Sequence, residues 1–414
     1  MKRIYYLLLF LFPVAGLFAQ DLTKEFPEQI TVTVTNTLSI KRENVFVFIP
    51  ALKLGRAFNK QAFIVLDNGK ELASQYNAMD ADYSGIVTVL DAMDGNERRE
   101  LQVRFKKEGI SVRNYKKRTQ AELSHKAGGK FVNREYIGGE FKNVDYLRVP
   151  PEQKDHSWFI RYEGPGWESD KVGYRFYLDQ RNANDVFGKT TPEMVLQDVG
   201  KDGFDSYHHL QPWGMDIMKA GKSLGIASIG AWVDGAVIRV EKTDSVTSRI
   251  TQNGAVYSSI LTRYYGWKIG EKKFDLESRL SIHAGTRLTH TRLTFRGKPD
   301  NISTGLVKDK NSVALKDKGD KDHWGYLATY GKQSLNDDNL GMAVFFNPDN
   351  KPDFTEDNLS HIVKLLFTSE HIDYYFMAAW EKEPEGIKDQ QQFEAYLKMV
   401  SQELAHPVTV SIKR

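Results

Sequence analysis

Short runs in which apolar and polar residues alternate recur along this sequence, and they restrict its possible folds more than any other feature. Ile30, Val32 and Val34 alternate with threonines, and residues 408–412 show the same period. Successive side chains of a strand point to opposite faces, so this period predicts half-buried β-strands. We therefore expect the 414-residue chain to be all-β, a large antiparallel β-sandwich with few helices.

Turn signals separate the predicted strands. The clearest is Asp67-Asn68-Gly69, because Asn-Gly pairs favour tight hairpins. Further strands are predicted at residues 45–49, 63–66, 86–90, 101–105, 172–178, 256–265, 274–282, 288–295, 342–346 and 372–380. Many short strands of this kind are typical of sandwiches and barrels.

One helix is predicted near the end of the chain. Phe393, Leu397, Val400 and Leu404 fall on one helical face, and Pro407 ends the pattern. The alternating run that follows predicts a last strand that returns to a sheet.

Residues 20–414 are expected to form a single β-sandwich catalytic domain. It would comprise N-terminal strands (28–110), a loop-rich segment over the sheet (116–151) and a core (155–414). Residues 300–322 mix Lys, Asp, Gly and Asn with few apolar residues, which predicts a mobile surface loop that could act as a lid.

Residues 1–19 have the pattern of a secretory signal peptide. Lys2 and Arg3 precede an apolar run that Pro13 interrupts, and Ala19 is a small residue suited to cleavage. A transmembrane anchor is the alternative, but the run is short for one. No later stretch is apolar enough to span a bilayer. We expect an exported protein of the bacterial periplasm.

The composition excludes several classes of protein. The sequence has no cysteine, which excludes disulfide scaffolds, thiolate catalysis and Cys-ligated zinc. Lys+Arg 57 against Asp+Glu 54 gives a net charge of +3, which argues against a dedicated nucleic-acid binder. No glycine-rich loop has the spacing of a phosphate or dinucleotide site, and no GxSxG motif supports a serine hydrolase.

Charged and aromatic residues concentrate between residues 155 and 216. On a strand, Arg175, Tyr177 and Asp179 share one face, with Arg181 in phase. Two arginines on a sheet face need partners if they are buried. Two interpretations stay open, an internal ion-pair ladder and a groove in which an arginine binds a substrate carboxylate in bidentate fashion.

Tyr207, His208 and His209 lie on a predicted loop close to Asp216. Histidine titrates near neutrality and suits proton transfer, although hydrogen-bonded loop residues are the alternative. No cofactor is expected. A bound divalent metal stays an alternative, although the sequence has no HxH or HExxH spacing to support it. The ligands of such a metal would be His208, His209 and Asp216 with His156 or His290.

Aromatic residues make up 12% of the sequence, which suits both sugar-stacking surfaces and aromatic-rich sheets. Trp167 and Trp213 are the best candidates for stacking because each stands beside polar groups and glycines. For the remaining aromatic candidates core packing is the better explanation; these are Trp232, Tyr264, Tyr265 and Trp267.

Several long motifs resemble an exported bacterial family catalogued as domain of unknown function 4861. They are EGPGWESD at 163–170, YRFYLD at 174–179, RNANDVFGK at 181–189, SYH at 206–208, WGMD at 213–216 and GKSLG at 221–225. The likeness covers most of the mature chain. It implies a β-sandwich of the galactose-mutarotase-like supersandwich kind and a role in polysaccharide utilisation.

The resemblance also implies a reaction, because one branch of the family dehydrates oligosaccharides. Such an enzyme removes water from a non-reducing-end uronic acid of ulvan-like or pectin-like chains and leaves a 4,5-unsaturated sugar. Its catalytic candidates here are His208 as base, Tyr207 or His156 as acid, and Arg181 against the carboxylate. Its substrate-binding candidates are Arg175, Asn182, Trp167, Glu168, Trp213, Asp216 and Lys189.

Three other functions stay open at this point. A polysaccharide lyase needs the same base, acid and carboxylate partner but expels a glycosidic oxygen. A glycoside hydrolase would use a pair of carboxylates. A non-catalytic glycan-binding protein would use only the aromatic and arginine surface, and in every case the expected partner is a uronate-containing oligosaccharide.

Overall fold

The computed structural model describes residues 22–413. The predicted signal peptide, residues 1–19, lies outside the described residues. Strands make up 49% of the structure and helix 9%, so the prediction of an all-β fold is confirmed. No helix within the described range is long and apolar enough to cross a membrane.

Thirteen strands precede the region of the candidate site. They are β1 (Glu28–Thr35), β2 (Arg42–Pro50), β3 (Phe63–Asp67), β4 (Lys70–Leu72), β5 (Ser74–Asn77), β6 (Gly85–Met93), β7 (Arg98–Phe105), β8 (Thr119–Glu122), β9 (Ser124–Ala127), β10 (Lys130–Val132), β11 (Glu135–Ile137), β12 (Glu140–Asn143) and β13 (Tyr146–Arg148). Two single-turn helices accompany them, α1 (Leu22–Glu25) and α2 (Ala51–Leu54).

Eighteen further strands and one long helix follow. The strands are β14 (Gly166–Ser169), β15 (Val172–Phe176), β16 (Asn184–Lys189), β17 (Gly214–Asp216), β18 (Gly230–Val233), β19 (Ala236–Arg239), β20 (Ser245–Asn253), β21 (Tyr257–Ile269), β22 (Lys272–His283), β23 (Leu288–Arg296), β24 (Ile302–Val307), β25 (Ser312–Gly319), β26 (Trp324–Gly331), β27 (Leu340–Phe346), β28 (Asp353–Glu356), β29 (Ser360–Leu365), β30 (His371–Trp380) and β31 (Thr409–Lys413). The helix is α3 (Gln390–Ala405).

The N-terminal strands form a small sandwich that the last strand completes. A five-stranded sheet has the order β31-β1-β7-β3-β4, and a three-stranded sheet has the order β2-β6-β5. Alternating apolar side chains such as Val32, Val47 and Leu101 meet in one core cluster. Burying a side chain of this size stabilises the fold by about 1.5–3 kcal/mol.

The main sandwich is built on a nine-stranded antiparallel sheet of order β13-β20-β21-β22-β23-β30-β27-β26-β25. Two five-stranded sheets, β17-β16-β15-β14-β8 and β19-β18-β24-β29-β28, share a core with it. Trp167 and Tyr174 of the first pack against Phe376 of the nine-stranded sheet. The other face of the large sheet packs against α3 and the N-terminal sandwich.

Several local predictions are confirmed. Asn68 and Gly69 have φ of 48° and 81° in a two-residue hairpin between β3 and β4. Phe393 and Leu397 of α3 are fully buried, and the Asp389 side chain caps the helix by accepting from the Gln392 N–H. β31 pairs with β1, so the end of the chain does return to a sheet.

Three predictions of local structure need correction. Residues 300–322 are not a loop, because they contain β24, whose alternate residues fill the core, and the polar edge strand β25. An edge strand leaves one row of backbone N–H and C=O groups unpaired, and charged side chains protect such an edge from pairing with another chain, which explains its composition. Residues 116–151, predicted as a loop-rich segment, contain six short strands. The strand predicted at residues 172–178 is β15, which ends at Phe176.

Candidate functional site

The candidate site lies on the outer face of the sheet that contains β14 to β17. Tyr174 of β15 points into the shared core, so alternation turns Arg175 to the outer face. The register sets Asp185 of β16 opposite Arg175 and Asp216 of β17 opposite Phe187. Three adjacent strands thus bring one arginine and two aspartates to the same face.

Arg175 is the centre of this cluster and is 2% exposed. Its Nη2 lies 2.8 Å from Asp185 Oδ2 and 2.5 Å from Asp216 Oδ2. Nη2 also donates to Tyr177 Oη at 3.2 Å, and Nη1 donates to Tyr207 Oη at 3.0 Å. Arg175 is therefore a buried anchor with protein partners, and it is not the exposed carboxylate ligand that the sequence suggested.

The charges around Arg175 do not balance. One guanidinium faces the two buried carboxyl groups of Asp185 and Asp216, so the cluster has a surplus negative charge. Burial and the neighbouring Asp216 raise the pKa of Asp185 to about 6. A buried surplus charge of this kind favours uptake of a proton by the cluster or by a group in contact with it.

His208 is the exposed member of this network. Its Nε2 lies 3.4 Å from Asp216 Oδ2, and its side chain is 41% exposed. The hydrogen bond to Asp216 raises the pKa of His208 above its usual value. The imidazole can therefore exchange a proton with solvent or a ligand on one side while a buried carboxylate orients it on the other.

Tyr207 lies beneath His208 on the same single-turn helix, Ser206–His208. The two rings are 4.7 Å apart, and Tyr207 is 2% exposed. Burial raises the pKa of Tyr207 to about 12, so its hydroxyl stays protonated at neutral pH. The structure places it between Arg175 and His208.

A second cluster surrounds Arg181. Its Nη2 lies 2.6 Å from both Glu163 Oε1 and Asp179 Oδ2, and its Nη1 lies 2.9 Å from Asp155 Oδ1. The guanidinium stacks over the Tyr177 ring at 3.8 Å, and this ring also contacts Arg175, so the two clusters adjoin. The Arg181–Asp179 pair agrees with part of the ion-pair ladder, although Arg175 pairs with other carboxylates.

His156 forms the exposed edge of this second cluster. Its Nδ1 lies 2.6 Å from Asp155 Oδ1, and its side chain is 61% exposed. The backbone N–H of His156 donates to Glu163 Oε1 at 3.0 Å, and its ring lies 5.1 Å from that of Phe204. Each cluster therefore presents one histidine to solvent with an aspartate at one ring nitrogen.

The predicted set of metal ligands is not assembled in the structure. His208 and Asp216 are in contact, but His290 lies on β23 with its Nε2 2.9 Å from Asp373. Within the described residues, the group with ligand spacing is a different one, formed by Asp155, His156 and Glu163, whose ligand atoms lie within 4.8 Å of one another. Arg181 already contacts two of these three side chains.

Backbone strain concentrates in the segment that builds this edge. Between residues 155 and 182, five non-glycine residues have φ between 37° and 73°, namely His156, Trp158, Tyr162, Glu163 and Asn182. Such conformations cost of order 1–3 kcal/mol each and cluster at functional sites. Asn182 is buried and accepts a hydrogen bond from the Tyr264 hydroxyl at 3.2 Å, so it supports the fold behind the site.

Besides the buried Arg175, Asp216 and Asn182, three further predicted substrate-binding residues lie in the interior. Trp167 is 1% exposed, and its Nε1 donates to Thr289 Oγ1 at 2.8 Å. Glu168 and Lys189 form an ion pair of 2.6 Å in which both side chains are fully buried. These assignments are corrected to structural ones, because no substrate can contact groups enclosed in this way. Trp213 is half-buried, with its ring 5.9 Å from that of Phe187.

Sequence reasoning missed several members of the site. Asp185 alternates with Phe187 on the strand next to Arg175, and the hairpin pairing could have identified it. Glu163 ends a short 3-10 turn, and Asp155 and Phe204 lie outside helices and strands. The sequence does not indicate the left-handed backbone at Glu163 itself or at His156, the residue after Asp155.

Two similar solved structures come from Enterococcus faecalis. They are a protein of glycosyl hydrolase family 38 (10% identity, TM-score 0.44, 93% of this chain and 47% of that chain) and an α-mannosidase (10% identity, TM-score 0.45, 95% of this chain and 47% of that chain). This chain thus spans about half the length of those proteins.

The comparison with curated proteins gives no match. The family model described as domain of unknown function DUF4861 matches residues 34–410, which is nearly the whole chain. The chain belongs to the DUF4861 family.

Proposed function

We propose that this protein is a carbohydrate-active carbon–oxygen lyase that dehydrates a non-reducing-end uronic acid of an oligosaccharide to a 4,5-unsaturated sugar. One observation carries the proposal: His208 is exposed to solvent and bonded to a buried cluster with surplus negative charge. That arrangement suits a group that accepts a proton from a substrate.

The reaction can be written with its atoms balanced. Neutral His208 takes the proton from C5, and the electron pair of that C–H bond forms the C4=C5 double bond. The C4–O4 bond breaks, and O4 leaves as water after receiving a proton from an acid. Asp216 stabilises the imidazolium that forms and holds the ring in place.

His156 is better placed than Tyr207 to supply the acid. The Tyr207 hydroxyl is enclosed next to Arg175, whereas the His156 side chain is 61% exposed. Because its Nδ1 is bonded to Asp155, Nε2 is the nitrogen left for O4. General acid and base groups typically contribute about 10²–10⁴-fold each to a rate.

Arg181 is the arginine we assign to the substrate carboxylate. Its side chain is 17% exposed, against 2% for that of Arg175, and its contact with the partly exposed Asp155 can be exchanged for a ligand oxygen. An arginine at the carboxylate stabilises the negative charge that develops when C5 loses its proton.

Mass spectrometry of saturated uronate-ended oligosaccharides, incubated with the protein, tests the proposal. Loss of one water with unchanged chain length is the expected result. Shorter fragments would instead indicate a chain-cleaving lyase or a hydrolase, and unchanged substrate with measurable binding would indicate a glycan-binding protein. A parallel incubation with a chelator tests whether the reaction needs a divalent metal.

A further inference from the structure

A cavity of about 830 Å³ lies between the N-terminal sandwich and the outer face of the nine-stranded sheet, and its lining includes neither His208 nor Arg181. β2 and residue Tyr83 form one wall, β22, β23 and β30 form another, and α3 closes the end. Ligand sites typically have volumes of about 300–1,000 Å³ and favour boundaries between structural units. The size and position therefore suit a ligand of several rings.

Aromatic rings line this cavity in contact with one another. Phe46 stacks on His283 at 5.1 Å and on Tyr257 at 5.8 Å, and Tyr375 stacks on His290 at 4.5 Å. Flat rings of this kind pack well against the C–H faces of a pyranose, and they lose little conformational entropy on binding. The walls thus offer surface for sugar rings beside polar groups.

Polar groups of the cavity have unused bonding capacity. His283 donates through Nδ1 to the Ala284 carbonyl at 2.9 Å, and its Nε2 has no hydrogen bond within residues 22–413. Burial lowers the pKa of His283 to about 4, so Nε2 is an acceptor at neutral pH. The Glu403 side chain accepts no hydrogen bond in the same range, and Arg42 is the cation that interacts with it electrostatically. Both groups can bond sugar hydroxyls.

The charges of the lining favour an anion. Five cations line the cavity, namely Lys41, Arg42, Lys53, Lys171 and Arg287. Four carboxyl groups lie beside them: Glu43, Glu385 and Glu403 of the lining, and Glu383, which pairs with Arg287 at 2.6 Å. Lys41 pairs with Glu43 and Lys171 with Glu385, whereas Lys53 has no ion pair in the described part of the chain. The balance is the reverse of that around Arg175, where carboxylates outnumber the guanidinium.

We infer that this cavity is a second saccharide site, distinct from the His208 site, which binds an acidic oligosaccharide through stacking on its aromatic walls and ionic contacts to Lys53 and its neighbours. The inference goes beyond the proposed reaction. It would stand if the His208 site proved to have another chemistry, because it depends only on the shape, rings and charges of this cavity.

The absence of cysteine from the sequence allows a direct test. Glu403→Cys places one thiol in the full-length protein at the cavity, and Lys310→Cys places one at an exposed position outside its lining. The rate of maleimide labelling is measured with a tetrameric oligogalacturonide and with a neutral glucan tetramer. His208→Gln is included in both proteins to prevent turnover.

The acidic tetramer, at a concentration ten times its dissociation constant, is expected to slow labelling at position 403 about tenfold. The labelling rate falls by a factor of one plus the ligand concentration divided by the dissociation constant, because only the unbound protein is labelled. Labelling at position 310 and labelling with the neutral tetramer should not change. Lys53→Ala should weaken the protection about two- to fivefold. Equal protection by both tetramers, or none by the acidic one, would overturn the inference.

Discussion

The buried ion pair between Lys189 and Glu168 supports the loop that carries His208. Lys189 Nζ lies 2.6 Å from Glu168 Oε2 and donates to the Ser169 carbonyl at 2.7 Å. Glu168 Oε1 accepts from the backbone N–H groups of Val195 and Leu196 at 2.9 and 2.8 Å. The pair therefore links the sheet to the segment between β16 and β17.

We predict that Lys189→Met lowers the free energy of unfolding by about 3–5 kcal/mol, because it leaves a carboxylate buried without its cation. The matched control is Lys201→Met, in the same segment. Lys201 lies 2.7 Å from Asp198, but the two side chains are 58% and 71% exposed. Its loss should change stability by at most about 1 kcal/mol, since exposed pairs contribute little.

The loss of stability in Lys189→Met should also depend on pH. Burial raises the pKa of Glu168, and removal of Lys189 raises it further. The folded variant then binds a proton more tightly than the unfolded chain, so its stability falls as pH rises through the folded pKa and recovers in acid. Urea unfolding followed by circular dichroism at several pH values measures both effects. A loss below 1 kcal/mol, or one independent of pH, would refute the reasoning.

Three further predictions follow from the same contacts. His208→Gln should reduce kcat by about 10²–10⁴-fold while the circular dichroism spectrum stays unchanged, because only a proton acceptor at the exposed edge is lost. Asp216→Asn should move the acid limb of the pH profile of kcat/KM to lower pH, because Asp216 raises the pKa of His208. Asp185 still pairs with Arg175 in this variant. An acid limb at the same pH as in the wild type would contradict the assignment. Burial raises the pKa of Glu403 to about 7, so wild-type stability should fall as pH rises through 7, and Glu403→Gln should remove that fall in urea unfolding at pH 6 and pH 8.

The strand pattern made much of the fold predictable. Alternation identified β1 and β31, and the four-residue face of α3 identified the helix, because one buried face leaves a clear period in the sequence. β25 was not predicted because none of its residues is fully buried and its polar sequence shows no apolar period. Pairing between strands distant in sequence, such as β31 with β1, needed the structure to show its register.

The candidate site was predictable as a region and less so in its roles. The dense charges around Arg175 and Arg181 indicated a special segment, and the structure brings His208, Asp216 and Tyr207 into one network with Arg175. Which arginine would be enclosed could not be predicted, since exposure depends on the loops that cover the sheet.

The measurement that tests the central claim most directly is the isotope effect on the reaction of a uronate-ended oligosaccharide with deuterium at C5. The rate can be followed by the absorbance of the conjugated product. Because we propose that His208 removes this hydrogen in a rate-determining step, the deuterated substrate should react more slowly than the protium form, and water should be lost without chain cleavage. Hydrolytic cleavage of the chain, at the same rate for the deuterated and the protium substrate, would contradict the account.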